Sequence, residues 1–146
     1  MLKLYVLCGI PGAGKSTAAY NIDPEAKVHS YDDIIGANSG KKSFRRVSNT
    51  WFENMRNDLL AGYNVVCDST NLTVKSRQHV LNQFKDIECE KDLVVLATPI
   101  EECMRRNEGR KRKVPNFVIT QSAKLFEAPT DDEGWDNIFL WENDSL

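Results

Sequence analysis

Residues 9–16 read Gly-Ile-Pro-Gly-Ala-Gly-Lys-Ser, a complete G-x-x-x-x-G-K-[ST] run. The chemistry this pattern serves is triphosphate binding. Glycines let the backbone turn tightly enough to aim successive N–H groups at a β-phosphate, at dihedral angles a Cβ would obstruct. The helix that should follow adds its positive end. Lys15 is spaced to reach the β and γ oxygens, and Ser16 offers a hydroxyl to Mg²⁺. Gly9, Pro11, Gly12, Ala13, Gly14, Lys15, Ser16 and Thr17 are therefore the candidate nucleotide contacts. The sequence has no downstream [NT]-K-x-D element to read guanine, so the expected nucleotide is ATP. The loop alone fits a kinase, an ATPase and a nucleotide-gated switch equally.

Acidic residues supply the second half of a possible reaction. Asp32 and Asp33 follow His29-Ser30-Tyr31. A phosphoryl group passes through a loose transition state, so a carboxylate need only lie in hydrogen-bond reach of the attacking hydroxyl and take its proton late. The competing role is to cap the next helix. Asp32 is assigned to proton acceptance and Asp33 to the cap, with Asp33 also a candidate acceptor contact. Asp68 ends the apolar run Val65-Val66-Cys67. There it either approaches Mg²⁺ through water or caps the loop that carries Thr70 and Asn71, which are candidate acceptor contacts.

Six cations crowd the nine residues 105–113: Arg105, Arg106, Arg110, Lys111, Arg112 and Lys113. Charge runs usually form a solvated face, and that reading suits the last three. Arg106 and Arg110 are four apart and share a face if the helix continues. A guanidinium fork suits the equatorial oxygens of a transferring phosphoryl group, and Gly109 would let a lid bend. His29 and His79 have no metal-ligand spacing and read as structural or surface residues.

Elements must bring these residues together. Apolar runs predict strands over Leu2 to Cys8, Lys27 to His29, Asn64 to Asp68, Asp92 to Thr98 and Asn137 to Trp141. Helical spacing predicts Ser43 to Leu60, with Val47, Trp51, Met55 and Leu59 on one stripe. It also predicts Thr73 to Phe84, N-capped by Thr73 with Val74, Leu81 and Phe84 inward, then Pro99 to Glu108 and Pro115 to Phe126. The Trp51, Phe52, Met55 stripe reads as core rather than as a base-stacking platform. Gly36 to Lys42 reads as an exposed loop. Strands alternating with helices imply an α/β fold: a five-stranded parallel sheet of the P-loop NTPase, nucleotide-kinase-like kind, covered by helices on both faces. Ligands of such sheets bind at the carboxyl ends of the strands, where every candidate above falls.

At 146 residues the chain is expected to form a single domain over 1–146, with a basic lid at about 99–115. A net charge of -2 argues against a protein coated with cations for non-specific binding to nucleic acid or membrane. Cys8, Cys67, Cys89 and Cys103 form no C-x-x-C pair, which fits free thiols in a reducing cytoplasm. No stretch is long enough to be a signal-peptide core or a membrane span, so a cytoplasmic protein is expected.

The phosphate loop, the Asp32-Asp33 pair, the Thr70-Asn71-Leu72 run and the Arg-rich segment ending in Val114-Pro115 occur in that order. In this combination the chain resembles the kinase domain of bacteriophage polynucleotide 5′-hydroxyl kinases, from Leu4 to roughly Ile138. The resemblance implies ATP and Mg²⁺ as cofactors and transfer of the γ-phosphoryl group to the 5′-hydroxyl of a single strand. It implies Asp32 as general base, Lys15 and Ser16 as phosphate and metal residues and Arg110 as the lid arginine on the transferring phosphate; Arg106, from its spacing to Arg110, is a candidate nucleotide contact. Two departures matter. The family's acceptor-binding arginine three residues after the base is here Ile35, so that clamp is either missing or supplied by another group, with Arg45 and Arg46 the candidates. The phage enzymes also carry a C-terminal phosphatase domain, to which no part of these 146 residues corresponds. A kinase for a small-molecule alcohol such as a nucleoside or sugar, and an ATPase or switch without an acceptor, are the alternatives.

Overall fold

The computed structural model describes residues 1–38, 40, 43–111 and 113–142. Five strands, β1 (Lys3–Cys8), β2 (Lys27–Ser30), β3 (Val65–Asp68), β4 (Glu90–Leu96) and β5 (Asn137–Trp141), form one parallel sheet in the order β2-β3-β1-β4-β5. The central strands are apolar on both faces because helices cover both. Against one face α3 (Phe44–Leu60) and α4 (Val74–Gln83) pack, burying Trp51, Phe52, Met55, Leu59, Val80, Leu81 and Phe84 with Leu4, Val6 and Leu93. Against the other lie α1 (Lys15–Ile22), α5 (Ile100–Glu108) and α6 (Asn116–Leu125), burying Ala18, Ala19, Cys103 and Ile119 with Leu7, Val66 and Leu96. This is the expected α/β architecture, with each predicted strand present within a few residues of its expected ends.

The differences are local. A short helix α2 (Tyr31–Ala37) takes up Gly36 and Ala37, which were expected in a loop, while Ser39, Lys41 and Lys42 of that loop lie outside the described residues. Its N-cap is Ser30, whose hydroxyl accepts from the Asp33 amide at 3.3 Å. Asp33 is therefore not the cap: it sits in the first turn, beside Asp32. Thr73 caps α4 as expected, closing a reciprocal box with Ser76. Val74 is only half-buried, because it heads the helix at the rim of the sheet, whereas Arg77 is wholly buried. Helix α5 stops at Glu108, so Arg106 and Arg110 do not share a continuous helix. No helix among the described residues is long and apolar enough to cross a membrane.

Candidate functional site

Four strand ends build the site. The chain leaves β1 through Gly9 and turns through Gly12 (φ 86°) and Gly14 (φ 96°), left-handed conformations that favour glycine. Gly12 is also pinned by space: a Cβ there would lie 2.6 Å from the carbonyl oxygen of Cys103 in α5. Thr98, just past β4, donates its hydroxyl to the Ala13 carbonyl at 2.8 Å, holding the loop from the other side. Gly14 ends the turn and caps α1, whose N-terminus opens on the cleft with Lys15, Ser16 and Thr17.

On the far wall β2 and β3 run in register with Ser30 beside Asp68. Ser30 caps α2 and so sets Asp32 one residue into the helix, at the rim of the cleft, while Asp68 lines its wall. Helix α2 is held in place by Tyr31, whose hydroxyl is 3.0 Å from that of Ser48 and whose ring meets Trp51 edge-on at 5.1 Å. Trp51 in turn donates to the His29 carbonyl at 3.2 Å. His29 pairs with Asp58 at 2.6 Å, in keeping with its structural reading.

The third wall is the lid. Arg106 is held at its Nε by Glu102, 3.2 Å away, and Arg105 is tied to the same carboxylate. Arg106 and Arg110 line the cleft, with Val114 and Val118 behind them. The turn between α5 and α6 is closed by buried Asn107, whose amide donates to the Val114 carbonyl at 2.7 Å and accepts from the Val114 amide at 3.0 Å. That clasp brings Arg110 over the site although the helix has ended.

These walls enclose a cleft of about 400 Å³. Burial disfavours charge on both of its inner ionisable groups. It pushes the Lys15 ammonium below its ordinary pKa, against the pull of Asp68 and Asp32. It pushes the Asp68 carboxyl up to about 6, with Lys15 opposing and Asp32 and Asp33 adding repulsion. In this structure Lys15 donates to the Ile10 carbonyl of its own loop at 3.1 Å, so its ammonium lies folded against the phosphate cradle. The donor set also suits Mg²⁺. Among its lining groups the cleft offers the Ser16 hydroxyl and the buried Asp68 carboxylate, and no cluster of three or more His, Cys, Asp or Glu able to hold a metal exists among the described residues. Mg²⁺ keeps most of its shell as water and phosphate and needs few protein ligands.

Of the residues singled out from sequence, Pro11, Gly12, Gly14, Lys15, Ser16, Thr17, Asp32, Asp68, Thr70, Arg106 and Arg110 converge on this cleft. Others do not. Ala13 is wholly buried, and Gly9 donates its amide to the Thr70 carbonyl at 3.0 Å, so both shape the loop without facing the cleft. Asn71 is buried, with its amide donated to the Leu7 carbonyl at 2.8 Å; its polar side chain is committed to the backbone rather than to an acceptor. Asp33, Arg45 and Arg46 are exposed and outside the cleft, and so are Lys111 and Lys113; Arg112 lies outside the described residues. Sequence reasoning gave no role to Ser30, Thr98 or Asn107, all of which position residues of the site.

A family model described as an AAA domain matches residues 4–129. An L-seryl-tRNA(Sec) kinase from Methanococcus maripaludis is 27% identical over 142 residues, covering 91% of this chain and 56% of that protein. The chain thus spans about half the length of this relative. Among solved structures, Chaetomium thermophilum Kti12 in complex with ADP-AlF3 superposes with a TM-score of 0.70 at 16% identity, over 98% of this chain and 90% of that one. A chain of a Pnkp1/Rnl/Hen1 complex superposes with a TM-score of 0.64 at 22% identity, over 92% and 43%. Both structures share the P-loop kinase fold seen here.

Proposed function

The chain belongs to the AAA domain family, and from that premise we propose that it is an ATP-dependent kinase that transfers the γ-phosphoryl group to a hydroxyl, with a polynucleotide 5′-hydroxyl as the acceptor. The observation that carries the reading is the convergence of Lys15, Ser16, Asp32, Asp68, Arg106 and Arg110 on one cleft. A nucleotide switch needs the first two; it has no use for a carboxylate at the rim opposite the loop.

Each group has a task in this reading. The glycine turn and the N-terminus of α1 seat the phosphates, and Lys15 swings from the Ile10 carbonyl onto their oxygens. Ser16 and Asp68 would hold Mg²⁺, which would supply positive charge to offset the negative charge of the phosphates. Arg106 and Arg110 cover the opposite side of the transferring group and help exclude water. Asp32 accepts a hydrogen bond from the attacking hydroxyl, aligns it and takes the proton as the new P–O bond forms.

The acceptor assignment rests on the order of motifs and on the arginines at the mouth of an acidic protein, where cations can track a strand's phosphates. Ile35 cannot bind phosphate, and Arg45 and Arg46 lie on the exposed start of α3, so the lid arginines are the contacts nearest the reacting centre. A hydroxyl carried on a tRNA is the second reading, favoured by the seryl-tRNA(Sec) kinase relative.

The test is transfer of labelled γ-phosphate to a panel of 5′-hydroxyl oligonucleotides, aminoacylated tRNA, nucleosides and sugars. Oligonucleotides should be phosphorylated best, with an apparent affinity that falls with salt at a slope of about -0.7 per phosphate neutralised. A nucleoside or sugar phosphorylated as efficiently, without that salt dependence, would replace the polynucleotide with a small molecule. Preference for aminoacylated tRNA would promote the second reading.

A further inference from the structure

We propose that Arg77, remote from the reacting atoms, is the positioning residue that sets the acceptor wall and the lid's trailing helix against the phosphate loop; this rests on the kinase reading above. Arg77 has no exposed surface, and every nitrogen of its guanidinium has an acceptor. Nε and Nη2 make a two-pronged pair with Glu133 at 2.8 and 3.0 Å. Nη1 donates to the carbonyls of Asn71 and Leu72 at 3.1 and 3.0 Å, and Nη2 also donates to the Glu127 carbonyl at 2.9 Å. The Cys8 sulfur, the last atom group of β1 before the phosphate loop, lies 3.8 Å from Nη1.

Two segments of the site meet on this one side chain. The loop after β3 carries Thr70 into the cleft; its Thr70 carbonyl accepts from Gly9 at the root of the phosphate loop, and the Asn71 amide holds the Leu7 carbonyl. Asn71 keeps a left-handed backbone (φ 46°), which asparagine adopts more readily than other residues with a Cβ. Beyond α6, whose Val118 lines the cleft, the Glu127 amide donates to the Leu72 carbonyl at 2.8 Å. Arg77 binds the same two segments from beneath. Glu133 is not a generic counter-ion either: it also accepts from the Thr130 amide and the Trp135 indole, so the pair is embedded in a closed buried network.

An ion pair in such a place is a weak source of stability, because two charges must be stripped of water and apolar residues of like volume often serve as well. What apolar residues cannot do is hold three carbonyls from two segments at fixed distances. The pair's role is therefore geometric: loosen it, and Thr70 and α6 drift relative to the phosphates. A misplacement of about 1 Å can cost about 100-fold in rate.

The experiment compares the parent with Arg77→Met/Glu133→Met, which removes both charges together, and with Arg77→Lys, which keeps the charge for Glu133 and loses the fork. Measured are kcat, the KM for ATP, the melting midpoint, and amide exchange at Gly9 and Glu127, whose acceptors belong to the loop in question. The double variant leaves the Asn71 and Glu127 carbonyls, the Thr130 amide and the Trp135 indole without these partners, so it should melt below the parent while staying folded at the assay temperature and keeping its KM for ATP. Its kcat should fall about 10- to 100-fold, and Gly9 and Glu127 should exchange faster while amides of β4 do not. A folded double variant with parental kcat overturns the proposal. Where the double variant does not fold, Arg77→Lys decides by the same criteria. A parent protein that phosphorylates no acceptor in the panel defeats the kinase reading instead; exchange then judges Arg77 alone, and unaltered exchange at Gly9 and Glu127 overturns it.

Discussion

Replacing Asp68 with asparagine should make the protein more stable at neutral pH while abolishing most of its activity. Asp68 is only 8% exposed at the end of β3, and its carboxyl titrates at about 6 instead of the ordinary 3.8 because burial penalises the charged form. The folded protein thus holds this proton more tightly than the unfolded chain does. Stability attributable to Asp68 is greatest below about pH 4 and is lost as pH rises through about 6. At about 1.4 kcal/mol per pKa unit, ionised Asp68 costs the fold about 3 kcal/mol at pH 7. The attraction of Lys15 is already contained in that figure, since Lys15 acts to lower the same pKa.

The assay is denaturant unfolding of parent and Asp68→Asn at intervals from pH 4 to 7.5, read as the difference between the two proteins so that groups common to both cancel. The difference should be near zero at the acid end, grow in favour of the variant between about pH 4 and 6, and level off at up to about 3 kcal/mol. Mg²⁺ with ATP should then raise the melting midpoint of the parent more than that of the variant, because the carboxylate recovers its cost only with a cation beside it. A difference that does not vary with pH, or a variant less stable than the parent at pH 7, would refute the reasoning. A carboxylate kept at such a cost fits a site in which stability yields to function.

Asp32→Asn keeps shape and hydrogen bonding but cannot take the proton, so single-turnover transfer should fall about 10²- to 10⁴-fold with ATP binding nearly unchanged. Greater damage from Asp33→Asn would move the role to the neighbouring carboxylate. Arg110→Lys retains charge and loses the fork, and steady-state kinetics should show kcat falling more than ATP affinity. Gly12→Ala forces a Cβ to within 2.6 Å of the Cys103 carbonyl oxygen at a left-handed φ of 86°, so calorimetry should show weakened ATP binding and thermal unfolding a loss of about 1–3 kcal/mol. Parental ATP affinity in that variant would mean that the loop can shift away from α5.

The fold and the nucleotide half of the site were legible in the sequence because both depend on local rules. Parallel strands covered on both faces appear as apolar runs, and the phosphate loop is a contiguous stretch whose geometry its glycines dictate. Asp32, Asp68 and Thr70 could be placed because strand ends converge on one edge of such a sheet. The acceptor half depends on contacts far apart in sequence. Asn71, next to Thr70 in a promising polar run, is bonded to Leu7 some 64 residues away, and Arg110 reaches the cleft through the Asn107 clasp rather than through continued helix. Helix α2 is short and owes its placement to Ser48 and Trp51, neither of which its own residues announce.

Arg77 marks where the boundary falls. Three residues after Val74 and four before Leu81, it occupies the stripe that turns α4 toward the sheet, so its period alone places it inside. A cation on an inward stripe requires a buried acceptor, since the uncompensated charge would cost more than a domain of this size can carry. Its partner is Glu133, 56 residues away in the acidic run Asp131-Asp132-Glu133, which by composition alone reads as a solvated loop. Periodicity can therefore reveal that a buried charge exists and that its counter-charge must be somewhere. Which acid answers is decided by how α6 returns across the sheet edge and brings the 127–135 segment under α4, a tertiary event with no local signature.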